Sequence, residues 1–92
     1  IYDMEASGKR LKELRKRVGK TQEQVAEMVG LEPATISRIE RGVKGLSIDS
    51  LLVLSEVYEI STDYILKGDK TTTPSDALLN ELSALVQKYK SI

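Results

Sequence analysis

Over residues 7–18 the apolar side chains Leu11, Leu14 and Val18 recur at the period of a helix with one buried stripe. Ser7 is placed to accept from the first free amides as an N-cap, and Gly19 supplies the stop. Thr21 then opens a second helix over 22–29, with Val25, Ala26 and Val29 on one side and Gly30 behind it. A third helix follows almost at once. Pro33 suits its first turn, where the missing N–H costs no bond, while Glu32 is a poor cap and predicts fraying there. Leu31, Ile36 and Ile39 define the inner side of this helix; Ala34, Thr35, Arg38 and Arg41 define the outer side. A helix this short is not stable alone in water, so its inner side must pack on its neighbours.

After Gly42, residues 43–46 form a loop carrying Lys44 and Gly45. Ser47 caps a fourth helix, with Asp49 in the first turn, where the positive end of the helix dipole favours a carboxylate, and Leu51, Leu54 and Tyr58 inside. Ser61 caps a short fifth helix over 62–66, closed by Gly68. Residues 69–73 are polar and read as a linker. A sixth helix over 74–90 has Thr73 as cap, Pro74 in its first turn and a stripe of Leu78, Leu82, Leu85 and Tyr89. No strand-like alternation and no internal repeat is present, so the fold class is all-α.

Composition narrows the chemistry. The 92 residues make one domain with little beside it, and four tyrosines are the only aromatic residues, so the core is aliphatic. Cysteine and histidine are absent, which removes disulfides, Cys/His metal sites and Cys–His or Ser–His nucleophiles. No catalytic pairing, metal site, cofactor site or small-molecule ligand is evident, and an enzyme is not expected. No apolar run approaches the roughly 20 residues that cross a bilayer. The opening Ile1-Tyr2-Asp3-Met4 has no basic region followed by an apolar stretch, hence no visible signal peptide, and is assigned no structural part. A cytoplasmic location is expected.

Formal net charge is zero, but its distribution is uneven. Lys9, Arg10, Lys12, Arg15, Lys16, Arg17 and Lys20 face Glu13 alone in one segment; Asp49, Glu56, Glu59, Asp63 and Asp69 face Lys67 in another. Phosphate contacts are local, so this asymmetry weighs more than the sum. A basic helix is equally a solvated face, and charge alone does not separate the two.

The second and third helices are joined by a turn containing Gly30, the general form of a helix-turn-helix. Val25, Ile36 and Ile39 fill its apolar slots, Ala26 is the small residue at the crossing, and Leu31 plugs the turn. These residues position the third helix on the second, the first and the fourth; they touch no ligand. With them stand "TQEQVAEMVG", "ISRIERG" and "SIDSLLVLSEVYEISTDYILKG". Over residues 8–68 the chain resembles the lambda-repressor-like, Cro/repressor type of helix-turn-helix regulator, the xenobiotic-response-element family. The resemblance implies a five-helix DNA-binding domain over 7–68 with the third helix, about 33–41, in the major groove, and the C-terminal amphipathic helix appended.

The resemblance also implies residue roles. Pro33, Ala34, Thr35 and Arg38 match positions facing base edges. Gln22 matches a glutamine that reaches a phosphate, and Lys44 lies in a loop that follows the DNA backbone. Thr21, Ser37, Arg41, Lys9 and Arg10 complete the expected backbone contacts. Arg15 and Glu40 match a buried pair tying the first helix to the third. Pro33 and Ala34 have no side-chain donor or acceptor, so they read bases only through apolar contact, such as a thymine methyl. Arg38 is able to bind guanine in two-pronged fashion or to bind a phosphate, and both remain open. Lys9, Arg10 and Lys12 are either phosphate contacts or solubilising charges, and Arg41 also suits the helix C-terminus.

The last helix must bury Leu78, Leu82, Leu85 and Tyr89, either on its own domain or on a second chain. The favoured expectation is a homodimer on a palindromic double-stranded DNA operator, acting as a repressor. Two alternatives stand beside it: an antitoxin that represses its own operon and holds a toxin, and a protein-interaction module of this fold without DNA.

Overall fold

In the computed structural model, residues 1–68 and 84–88 are described. Five helices run α1 Met4–Arg17, α2 Gln22–Val29, α3 Pro33–Glu40, α4 Ile48–Tyr58 and α5 Thr62–Lys67. Residues 84–88 are also helical. No strand occurs among the described residues. The linker expected at 69–73, and Leu78, Leu82 and Tyr89 of the sixth helix, lie outside them; Leu85 is exposed.

The caps explain the boundaries. Thr21 and Gln24 form a reciprocal capping box: the Gln24 amide donates to Thr21 Oγ1 at 3.1 Å and the Thr21 amide to Gln24 Oε1 at 2.9 Å. Ser47 and Ser61 accept from the Ser50 and Tyr64 amides, each at 3.0 Å. Glu32 makes no side-chain cap, and α3 starts on Pro33 instead. Gly30 takes φ 72°, a conformation that a β-carbon disfavours, and this lets the Leu31 amide close α2 onto the Ala26 carbonyl at 2.9 Å.

The start of the first helix departs from expectation. Asp3, not Ser7, is the N-cap of α1: its Oδ1 accepts from the Ala6 amide at 3.1 Å. Ser7 sits inside the helix and is buried, because α1 crosses α3 there. Gly8 marks the crossing, for a β-carbon at that position would run into the carbonyl oxygens of Ile39 and Glu40. Val18 is likewise not part of the inner stripe. The helix ends at Arg17, which leaves Val18 beyond the packed face and 45% exposed.

Leu11, Leu14, Val25, Ala26, Ile36, Ile39, Leu54, Tyr58, Tyr64 and Ile65 form one core, with Leu31, Leu46 and Leu51 partly buried against it. α3 packs chiefly on α1 and α2; α4 packs on α2 and α5 rather than serving as a main seat of α3. The outcome is a short helix held from behind on two sides, with its outer face left open.

Candidate nucleic-acid interface

On α3, Ile36, Ile39 and Glu40 are buried, while Pro33, Ala34, Arg38 and Arg41 are exposed and Thr35 and Ser37 are half-buried. Ala34, Arg38 and Arg41 follow the helical period along one outer stripe. Among the described residues, the Arg38 side chain has no hydrogen bond or ion pair. Of the residues expected at base edges, Pro33, Ala34 and Arg38 are therefore open to solvent and Thr35 is partly covered, while Ile36, Ile39 and Glu40 anchor the helix.

The anchor is electrostatic as well as apolar. Arg15 Nε donates to Glu40 Oε2 at 2.7 Å and Arg15 Nη2 to Glu40 Oε1 at 3.1 Å. The Glu40 side chain is only 3% exposed and that of Arg15 12%. Arg15 Nη1 also donates to the Lys20 carbonyl at 2.9 Å, tying the pair to the chain ahead of α2. The hydrogen bond that Arg15 donates to Glu40 raises the Arg15 pKa, against the opposing effect of burial. Tyr58 lies beside the pair; burial first, and then the negative Glu40, push its phenol up to about 12, with Arg15 acting the other way.

Gln22 brings a feature the sequence did not reveal. Its Nε2 donates to Glu40 Oε1 at 3.1 Å, so the first residue of α2 is pinned to the last residue of α3. One amide hydrogen of that side chain is thereby used, and the second remains for another acceptor. Thr21 is exposed at the same end of α2, its hydroxyl oxygen already accepting from Gln24.

Arg10 has an internal partner: Nη1 donates to the Ile65 carbonyl at 3.0 Å, and the guanidinium lies against Gly68 at the end of α5. A cation there offsets the negative end of a helix, and one of the five guanidinium N–H groups is used within the domain. Lys9 sits near Glu5 at 4.0 Å with both side chains largely exposed, a pairing of little energetic weight. Lys44 is exposed in the loop between α3 and α4 and makes no ion pair among the described residues.

The residues ahead of α1 also have a place. The Leu46 amide donates to the Tyr2 hydroxyl oxygen at 3.1 Å, and Met4 Sδ and Tyr2 Cε2 lie against Gly45. Of the opening residues assigned no part from the sequence, Asp3 thus caps α1, and Tyr2 and Met4 touch the Lys44 loop. Nothing local in the sequence signals this, since the contact spans 44 positions.

Residues 11–65 match a family model described as helix-turn-helix. The chain is 38% identical over 85 residues to the HTH-type transcriptional regulator ImmR of Bacillus subtilis (strain 168), covering 90% of this chain and 67% of that protein. The c2 repressor of Salmonella phage P22, solved in complex with a synthetic operator, superposes with a TM-score of 0.67 at 36% identity, over 68% of this chain and 96% of that chain. SinR of Bacillus subtilis, solved in complex with DNA, superposes with a TM-score of 0.61 at 32% identity, over 64% of this chain and 95% of that chain. The chain belongs to the helix-turn-helix family.

Proposed function

We propose that this chain represses transcription by binding a palindromic double-stranded DNA operator as a homodimer, with α3 in the major groove. It is a DNA-binding transcription regulator of the helix-turn-helix family. The observation that carries the reading is the division of α3: Ile36, Ile39 and Glu40 fixed inside, Ala34 and Arg38 open outside. Relatives of this fold at over 30% identity were solved on DNA, which supports the same use of α3 here.

In this reading Pro33, Ala34 and Thr35 offer apolar contacts to base edges, and Arg38 is the residue able to bind guanine O6 and N7 together. Thr21, Gln22, Ser37, Arg41, Lys44, Lys9 and Arg10 contact the DNA backbone. With so few polar groups at the helix tip, part of the specificity comes from DNA shape read through those backbone contacts. Dimerisation through 74–90, including Leu85, places two copies of α3 on half-sites about 34 Å apart. The site of action is the cytoplasm.

The experiment is selection of binding sites from random-sequence duplexes at stated salt, paired with a sedimentation mass. Enrichment of a two-fold symmetric site by a dimer is the expected result. Failure to enrich any site, with weak binding indifferent to salt, defeats the proposal.

A further inference from the structure

We infer that Tyr2 is a positioning residue for DNA binding: its hydroxyl clasps the loop between α3 and α4 in the form that presents Lys44 to the DNA backbone. The inference rests on the proposed role of Lys44 as a backbone contact.

The loop is poorly held by itself. Gly42 and Gly45 both lie in it, and glycine gives an unconstrained backbone the largest conformational freedom. The Val43 amide is bound to the Arg38 carbonyl at 3.0 Å, as the last turn of α3 closes. Beyond it, the Leu46 amide is the one amide of residues 44–47 with a hydrogen-bond acceptor among the described residues, and that acceptor is Tyr2. Lys44 stands between these two fastenings.

The fit around the bond is close. At Gly45, a β-carbon would stand 3.5 Å from Met4 Sδ and 3.6 Å from Tyr2 Cε2, which is ordinary packing distance. At Gly42, a β-carbon would stand 2.7 Å from Glu5 Cα, so the loop and the first turn of α1 touch backbone to backbone. Leu46 also packs its side chain against the core. The start of α1, itself capped by Asp3, is therefore a rigid wall on which the loop rests. Ordering a loop before binding removes that entropic cost from the binding step. The Tyr2 hydroxyl is the polar fastening of the arrangement.

The test is a double-mutant cycle of Tyr2→Phe and Lys44→Ala, read by titration of the full chain onto a labelled mixed-sequence duplex of about 30 base pairs, roughly three helical turns, across a salt series. Tyr2→Phe keeps the ring on Gly45 and removes the hydroxyl alone. The expected result is a loss of affinity on the order of 3–10-fold with Lys44 present, and a shallower dependence of log K on log salt. In the Lys44→Ala background the same change costs almost nothing, because the two residues act through one contact. Equal loss in both backgrounds, or none in the first, overturns the inference while leaving the role of Lys44 intact. Unchanged affinity and salt dependence for Lys44→Ala alone overturns both. Thermal melts of each variant check that folding is preserved.

Discussion

Arg15 and Glu40 meet in a two-pronged pair, Nε to Oε2 at 2.7 Å and Nη2 to Oε1 at 3.1 Å, across the crossing of α1 and α3. The pair closes the rear of α3, and Gln22 adds a third donor to the same carboxylate. Removing one partner leaves a charge stranded in a site where Glu40 is almost fully covered. Such losses typically cost about 3–5 kcal/mol, and for a domain of this size each kcal/mol lowers Tm by about 4–8 °C. Arg15→Met is therefore expected to lower the melting temperature by well over 10 °C. The double variant Arg15→Met/Glu40→Met is expected to regain most of that loss, because the uncompensated charge is gone. Denaturant titration of both variants decides between this account and a simple packing loss, in which the double variant is the worse.

Gly8 lies where α1 passes nearest to α3, and a methyl group there meets the backbone carbonyls of Ile39 and Glu40. Backbone atoms do not swing aside as a long side chain does. Alanine ordinarily favours a helix over glycine by about 1 kcal/mol, so propensity alone predicts that Gly8→Ala stabilises. The clash predicts the opposite sign, a net loss of roughly 1–3 kcal/mol as α3 is pushed off α1. A lower urea midpoint for Gly8→Ala is the expected measurement. A higher one shows that the helices separate without cost.

The phenol of Tyr58 is raised to about 12 by burial and by the neighbouring Glu40 carboxylate. In the unfolded chain it titrates near its ordinary value of 10. Between those two values the unfolded state releases the proton while the folded state retains it. The contribution of Tyr58 to stability is therefore complete below pH 10 and is lost as pH rises from 10 to 12. Tyr58→Phe removes the ionisable group. The difference in stability between the two proteins is expected to be flat below pH 10 and to shift in favour of phenylalanine across the window. Chemical denaturation at a series of alkaline pH values reads it, and parallel curves throughout would show that Tyr58 is not the group responsible.

Much of the fold is local and was legible for that reason. Thr21, Ser47 and Ser61 cap helices because their hydroxyls reach amides three positions on, and Gly30 and Gly68 stop helices because they take positive φ. The inner side of α3 follows from the placing of Ile36 and Ile39 alone. Ser7 misled because a capping residue and a small buried residue at a helix crossing look alike without knowledge of what crosses. Arg10 to Ile65 and Tyr2 to Leu46 connect positions 55 and 44 apart, and no periodicity encodes such contacts. The Arg15–Glu40 pair came from family resemblance. Gln22 joining it depends on how α2 is rotated, which only the packed structure reveals.

Arg38 offers the sharpest test of how α3 reads DNA. It is exposed, its side chain makes no hydrogen bond or ion pair among the described residues, and it follows Ala34 along the outer stripe. Its removal should leave the fold almost unchanged, within about 0.5 kcal/mol, as for other surface positions without a partner. Two-pronged binding to guanine carries roughly 1–3 kcal/mol of discrimination at one base pair. Arg38→Ala is thus expected to relax the preference at a single position of each half-site by about 5–150-fold, with the rest of the selected site unaltered. A phosphate contact behaves otherwise: binding weakens evenly on all sequences, and the salt dependence drops by about one contact. Binding-site selection with the variant, followed by affinity against salt on single-base-pair variants of the operator, separates the two. An unchanged sequence profile with a shallower salt slope would move Arg38 to the backbone and leave Ala34, Thr35 and DNA shape to carry the specificity.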